Sequence, residues 1–259
     1  MAGLTIVGLG PARPEHLTRE AMQVLEGALH TGARVYGLAH VRELVADLVP
    51  ALQVRSLDYL YAMDGIPRPV VYRDLADMLV RRAFEDEQDV IYVVAGSPLF
   101  INDAVLWIRR TCAEAGHPLR LVHGMSFLDL ILDRVYWTGH QGLQFMSAWN
   151  VAQDGMDPDT RSPTVICQLG ESSSGGDAVD AGSSTAMLAA LRDRLLSVYP
   201  GDHPVIILYS SGRPDYRSLA RQVPLSVLAD EPVPVYSNLW VPALEGPEIE
   251  RVLAPGDPS

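Results

Sequence analysis

The segment VIYVVAGSPLF, Val90 to Phe100, decides how the rest of the chain is read. Val90–Ala95 is apolar throughout and rich in β-branched and aromatic residues, with no polar alternation. That is the pattern of a strand buried on both faces of a parallel sheet. It ends in Gly96-Ser97-Pro98-Leu99-Phe100, a turn with free backbone groups and one small hydroxyl. Upstream, Leu4–Leu9 reads as a strand ending in Gly8-Leu9-Gly10-Pro11, and Glu15–Ala28 as a helix. Ala33–Leu38 and Leu52–Ser56 read as strands separated by a helix over Val41–Leu48. Val70–Phe84 is an amphipathic helix with Val71, Leu75, Met78, Leu79 and Ala83 on its apolar face. Downstream, Ala104–Ala115 is a helix and Leu119–His123 a strand that runs into Gly124-Met125-Ser126. Strand–helix alternation at this pitch predicts βαβ units and a mostly parallel sheet.

The second half changes texture. Leu128–Val135 is helical, and Gly142–Ala148 and Thr164–Leu169 read as strands. Gly170–Ser184 is rich in Gly, Ser and Asp, lacks periodicity and reads as a mobile loop. Ala186–Tyr199 is a helix. Pro204–Tyr209, Ala220–Val223 and Val235–Val241 are strands that can pair in mixed directions. The expected division is an N-terminal lobe over 1–123, a C-terminal lobe over 124–244 and a tail over 245–259. The fold class is α/β with two lobes, one mostly parallel and one mixed.

Composition narrows the function. The 259 residues are 48% hydrophobic and 20% charged, enough for a large core in one lobe or two. Apolar stretches are broken within about ten residues, so no membrane-spanning helix is expected. The N-terminus has no basic segment before its first strand and does not read as a signal peptide. Asp and Glu outnumber Lys and Arg by 32 to 20, a net charge of −12, which argues against a nucleic-acid binder. There is no lysine at all, so Schiff-base chemistry and a P-loop lysine are excluded. Cys112 and Cys167 make no metal spacing, the seven histidines form no HxxxH or HxH, and no metal is expected. A reducing cytoplasm fits two lone cysteines. Asp202-His203 reads as a turn before Pro204 rather than as a catalytic pair.

Three loops stand out because each closes a strand of the first half. Gly8–Pro11 and Gly96–Phe100 lie at strand carboxyl ends, where open α/β sheets bind ligands, but the first lacks the third glycine of a dinucleotide fingerprint. In the third, Ser126 has the residue type that caps a helix. Tyr59, Tyr61, Arg68 and Tyr72 gather around the entry to the helix at Val70. Arg68 and Tyr72 are four apart and share a face once helical. Pro67 and Pro69 stiffen the backbone of the arginine.

These elements, in this order, resemble the tetrapyrrole methylase superfamily, the class III S-adenosylmethionine (SAM) methyltransferases. The resemblance runs through TIVGLGPARPEHLT, VVAGSPLF, LVHGMSFLD, GLQFMSA, TVICQLG, VYPGDHPVIIL and SNLWVPAL, from Leu4 to about Leu244. Ala12, Ser97 and His123 depart from the usual glycine, acidic residue and proline of the first three motifs. Those departures bear on the tetrapyrrole acceptor more than on SAM. The resemblance implies SAM in a cleft between the lobes, S-adenosylhomocysteine as product, and a homodimer. It implies cofactor contacts from Gly10, Gly96, Ser97, Leu99 and Phe100, then Ser126, Phe127, Gln168, Ser210, Ser237 and Asn238.

Two branches are most similar. One is the methylase-like domain joined to a MazG-type nucleotide pyrophosphohydrolase, matched by GSPLFINDAV and GLQFMSAWN. The other is the borosin family, which methylates backbone amide nitrogens of a ribosomal peptide. Tyr59, Tyr61, Arg68 and Tyr72 match its tyrosine–arginine–tyrosine cluster, Arg68 and Tyr72 more closely than the two upstream tyrosines. By that resemblance the acceptor is a separate precursor peptide, since no apolar repeat follows the last strand. A tetrapyrrole or other small-molecule acceptor, and a catalytically silent SAM-binding partner of a pyrophosphohydrolase, are the alternatives.

Overall fold

A computed structural model describes residues 3–11, 13–62, 66, 68–135, 137, 142–169, 185–209, 219–233 and 237–245, with Arg68 and Leu219 described in backbone only. The chain divides into two compact units, the first Met1–Phe127 and the second beginning at Leu128. The loop at Gly170–Ser184, Ser210 and the tail beyond Glu245 lie outside the described residues.

The first unit has five strands: β1 (Gly3–Gly8), β2 (Arg34–Gly37), β3 (Val54–Ser56), β4 (Asp89–Val94) and β5 (Leu119–Val122). They form one sheet in the order β3-β2-β4-β1-β5, with every pairing parallel. β4 is central and is buried from Val90 to Val94, as its apolar run predicts. Helices α1 (Arg19–Thr31) and α2 (Ala39–Leu48) cover one face through Leu25, Val41 and Val45. Helices α4 (Arg68–Phe84) and α5 (Asp103–Ala115) cover the other through Leu75, Leu79 and Ile108. A short helix α3 (Asp58–Tyr61) precedes α4. The chain therefore leaves β1 toward one face and the adjacent β4 toward the opposite face. In an open α/β sheet, that parting is the switch point where ligands bind.

Local chemistry corrects several expected boundaries. The helix expected over Glu15–Ala28 starts at Arg19. Pro14–His16 is instead a single 3-10 turn, and Leu17 is extended. Thr18 decides this, because its hydroxyl accepts from the Ala21 N–H and caps α1. Gly32, with φ of 72°, closes the helix in the left-handed conformation. In contrast, α4 starts at Arg68, two residues before the expected Val70. Pro69 is tolerated there because first-turn N–H groups have no partner inside the helix. Tyr59 and Tyr61 sit on α3, an element not read from the sequence.

The second unit has a mixed sheet of β6 (Gln144–Ser147), β7 (Thr164–Cys167), β8 (Pro204–Tyr209), β9 (Leu219–Pro224) and β10 (Asn238–Val241), in the order β6-β7-β10-β8-β9. Only β6 and β7 pair in parallel. The first strand is shorter than Gly142–Ala148, because Ser147 caps a helix α7 (Ala148–Ala152) by accepting from the Asn150 N–H. Helix α6 (Phe127–Leu132) begins one residue early, and α8 (Thr185–Leu195) ends four residues short of Tyr199. Leu188, Leu191 and Leu195 of α8 pack on Ile166, Ile207 and Leu239 in one core.

His203 is buried in this unit at 8% exposure. Its ring stacks on Tyr199 at 4.8 Å, and its Nε2 donates to the Pro242 carbonyl at 3.0 Å. Burial holds its pKa below the ordinary 6.5, against an upward pull from that carbonyl and from Asp202. Below about pH 6.5 the unfolded chain therefore binds the proton that the folded chain resists, and stability falls with pH. Melting temperature measured from pH 8 to pH 5 should drop more steeply in the wild type than in His203→Gln. Parallel curves would contradict this.

Candidate functional site

The carboxyl edge of the first sheet is where three chain reversals meet backbone to backbone. The Leu9 N–H donates to the Val94 carbonyl at 2.9 Å, extending the β1–β4 ladder into the loops. Gly10 and Gly96 then form a two-way bridge, at 2.8 Å from the Gly96 N–H and 3.3 Å from the Gly10 N–H. Gly10 has φ of +72° and Gly96 of +68°, values that favour glycine. The third loop closes against both. A side-chain carbon on Gly124 would lie 2.5 Å from the Gly96 oxygen and 2.7 Å from the Gly8 carbonyl. One on Gly8 would lie 2.7 Å from the Gly96 oxygen and 2.8 Å from the Gly124 nitrogen. The Thr18 hydroxyl donates to the His123 carbonyl at 3.2 Å, tying the start of α1 to the third loop.

The glycines thus divide their tasks. The smallness of Gly8 and Gly124 lets the loops approach each other, and the space beside Gly10 is filled by His16, whose Cβ stands 2.6 Å from where a side chain would begin. Gly96 alone of these four is open, its nearest neighbour being the Met125 carbonyl oxygen at 4.0 Å. Beyond it, the Ser97 hydroxyl accepts from the Leu99 N–H at 3.3 Å. Phe100 packs on Phe127 with ring centroids 5.3 Å apart. Ser126 is half-buried next to Phe127.

In the second unit, Gln168, Ser237 and Asn238 lie together at one sheet edge, where β7 ends and β10 begins. Gln168 has φ of +64°, and the Leu169 N–H donates to the Ser237 carbonyl at 3.1 Å. Ser237 is fully buried, and among the described residues its hydroxyl has no hydrogen-bond partner. Cys167 beside it is buried too, with its thiol pushed up to about 12 by that burial, so it is no nucleophile.

The tyrosine–arginine group is brought together in part. Tyr61 and Tyr72 face each other at 6.2 Å with rings tilted by 60°. Arg68 opens the helix that carries Tyr72, one turn earlier. Tyr59 is not part of this group. It is 56% exposed, and its hydroxyl points to the Met78 sulfur at 3.3 Å, further along α4. A different phenol lies beneath the pair. Tyr92 of β4 is buried in the same core against which Tyr61 and Tyr72 pack. Burial, helped by Tyr72, raises the Tyr92 pKa well above that of a free phenol. The sequence signal for Tyr92 was a lone hydroxyl inside an otherwise apolar strand. No group of metal-ligating side chains occurs among the described residues. Among them, no helix is long and apolar enough to cross a membrane.

The model of the family described as tetrapyrrole (corrin/porphyrin) methylases matches residues 3–224. No curated protein sequence matches. Among solved structures, uroporphyrin-III-C-methyltransferase from Thermus thermophilus aligns with a TM-score of 0.62 at 19% identity, covering 93% of this chain and 92% of that one. The same enzyme complexed with S-adenosyl homocysteine aligns at 0.58 and 19%, covering 92% and 97%. A cobalamin biosynthetic enzyme, cobalt precorrin-4 methyltransferase, aligns at 0.62 and 14%, covering 94% and 96%. These likenesses establish the fold.

Proposed function

This chain belongs to the tetrapyrrole methylase family, and from that premise we propose that it transfers the methyl group of SAM to backbone amide nitrogens of a separate peptide. The observation that carries the cofactor half of this reading is the glycine junction at the sheet edge, where Gly96 alone of the four glycines Gly8, Gly10, Gly96 and Gly124 has open space beside it. The residues present suit such a cofactor. Gly96, Ser97, Leu99 and Phe100 offer backbone and apolar contacts beside the Gly10 bridge, with Ser126 and Phe127 next to them. Gln168, Ser237 and Asn238 are proposed as cofactor contacts on the resemblance alone, and among the described residues the Ser237 hydroxyl has no hydrogen-bond partner. Bound SAM supplies an activated methyl group on its sulfonium, so no metal is required.

The acceptor half rests on Arg68, Tyr72 and Tyr61. An amide nitrogen is a poor nucleophile because its lone pair is delocalised into the carbonyl. Arg68 holds the amide oxygen, where negative charge collects as the N–H proton leaves. One such donor contributes about 3–4 kcal/mol at the transition state. Tyr72 or Tyr61 accepts the proton, because a guanidinium beside a phenol favours the phenolate. The loops and helices that carry these groups hold the acceptor at near-attack distance and keep water out. A homodimer belongs to the same reading. A tetrapyrrole acceptor is the second reading, favoured by the likeness to a uroporphyrin-III methyltransferase.

Mass spectrometry of short peptides from neighbouring reading frames, co-expressed with this chain, tests the acceptor. Mass increases of 14 Da located on backbone amides are the expected result. Unmodified peptides, with label from SAM entering a tetrapyrrole instead, would favour the second reading.

A further inference from the structure

We propose that Asp58 is a positioning residue, which pins the short helix α3 to the sheet edge and so sets Tyr61 opposite Tyr72; this rests on the role given to Tyr61 under the methyltransferase reading above. Helix α3 has four residues and buries none of them fully. Helices shorter than about 12 residues do not hold themselves together in water. The place of α3 must therefore come from what grips its start. Tyr61 packs on the core only in part, so the core alone does not place its ring.

Two grips converge on that start. Leu57, just before α3, is buried, and its N–H donates to the carbonyl of Gly37 at the end of β2, at 3.1 Å. Asp58 then gathers donors from two other elements. Its Oδ1 accepts from the Ala39 N–H at 3.0 Å, and its Oδ2 accepts from the Ser56 hydroxyl. The Asp58 N–H donates back to the Ser56 Oγ at 3.1 Å. Ser56 ends β3 and Ala39 opens α2. The residue at the cap position of α2 is Leu38, whose side chain makes no capping bond. Asp58 serves that helix end instead, from 19 positions further along the chain. Burial opposes its charge, yet the bonds from Ser56 and Ala39, with His40 nearby, hold the carboxyl below its ordinary 3.8. At neutral pH it is ionised and only accepts, as three-way anchoring of β3, α2 and α3 requires. Three residues on, Tyr61 meets Tyr72 at 6.2 Å.

Fluorine NMR of the full chain carrying 3-fluorotyrosine tests this, with the Tyr61 resonance assigned by its loss in Tyr61→Phe. Asp58→Ala should displace that resonance. Asp58→Asn should keep it near its wild-type position, because the amide oxygen can still accept from Ala39. Ser56→Ala removes one bond of the anchor and should displace it less than Asp58→Ala; it decides the question if Asp58→Ala does not fold. Thr18→Ala removes the cap of α1 in the same unit and should leave the Tyr61 resonance in place. On a proven acceptor, Asp58→Ala should lower turnover about tenfold or more, because misplacement of a reacting group is costly. In a Tyr61→Phe background it should cost less than about twofold further, since both changes act through one ring. S-adenosylhomocysteine affinity should stay within about twofold throughout. A Tyr61 resonance unmoved in Asp58→Ala and Ser56→Ala, equal displacement in Thr18→Ala or Asp58→Asn, or additive losses in the double variant would each overturn the proposal. Absence of S-adenosylhomocysteine binding to the wild type, read by calorimetry, would instead overturn the methyltransferase reading, and the fluorine spectra would still decide whether Asp58 places Tyr61.

Discussion

Gly124→Ala should cost at least tenfold in S-adenosylhomocysteine affinity and lower the melting temperature by several degrees. The added carbon would meet the Gly96 oxygen at 2.5 Å and the Gly8 carbonyl at 2.7 Å. Both obstacles are backbone, so no side chain can swing aside. Overpacking of this kind costs about 1–3 kcal/mol where the structure yields. Here the yielding part is the loop junction that holds Gly96, so binding and stability fall together. Gly8→Ala acts from the opposite side of the same contact and should give the same pair of effects. Gly27→Ala provides the contrast. Gly27 lies inside α1, and nothing stands within 4 Å of its missing side chain. Alanine there should raise stability by up to about 1 kcal/mol through helix propensity and leave binding unchanged. Calorimetry and thermal melting on the three variants decide the matter. A Gly124→Ala protein that binds and melts like the wild type would remove the junction from the account.

Arg68→Ala should lower turnover by about a hundredfold or more once the acceptor is identified, while SAM affinity stays within twofold. The split is expected because the proposed role puts the arginine on the acceptor oxygen and not on the cofactor. Arg68→Lys keeps a charge and loses the planar fork, so it should not restore activity. Its place in the sequence supports this role. The apolar face of α4 is built from Val71, Leu75 and Leu79, all buried, and needs no arginine at the first position. Tyr72→Phe should also slow turnover, because the proton acceptor is lost. Tyr59→Phe should leave turnover near the wild-type value, because Tyr59 reaches Met78 and not Tyr72. Steady-state kinetics on the four variants test the assignment. Wild-type turnover by Arg68→Ala would return that residue to the role of a surface charge.

Much of the fold was open to reading because it is written locally. The apolar run at Val90–Ala95 and the glycines in the loops after β1, β4 and β5 act within a few residues of themselves, whereas the Thr18 cap that sets the start of α1 was missed. The strand order is a different matter. Nothing near β1 says that β4 rather than β2 lies beside it, since that choice depends on which faces α1 and α5 cover. The glycines show the same limit within the site. Gly8 and Gly124 are 116 positions apart, and their smallness has meaning only when the loops that carry them meet. A sequence reading assigns such glycines to ligand approach, whereas here they serve each other. The two upstream tyrosines look equivalent on paper. The short helix α3 separates them, turning Tyr61 toward Tyr72 and Tyr59 toward Met78.

The account stands or falls on whether the cofactor binds at the junction of the three strand-end loops. Titration calorimetry with S-adenosylhomocysteine measures it directly, on the wild type and on Gly96→Val. Valine at Gly96 fills the open space beside that glycine and is ill-suited to a φ of +68°. The account predicts saturable binding of one ligand per chain in the wild type and at least a tenfold loss in Gly96→Val. No heat and no thermal shift with millimolar ligand, or equal affinity in a folded Gly96→Val protein, would contradict it.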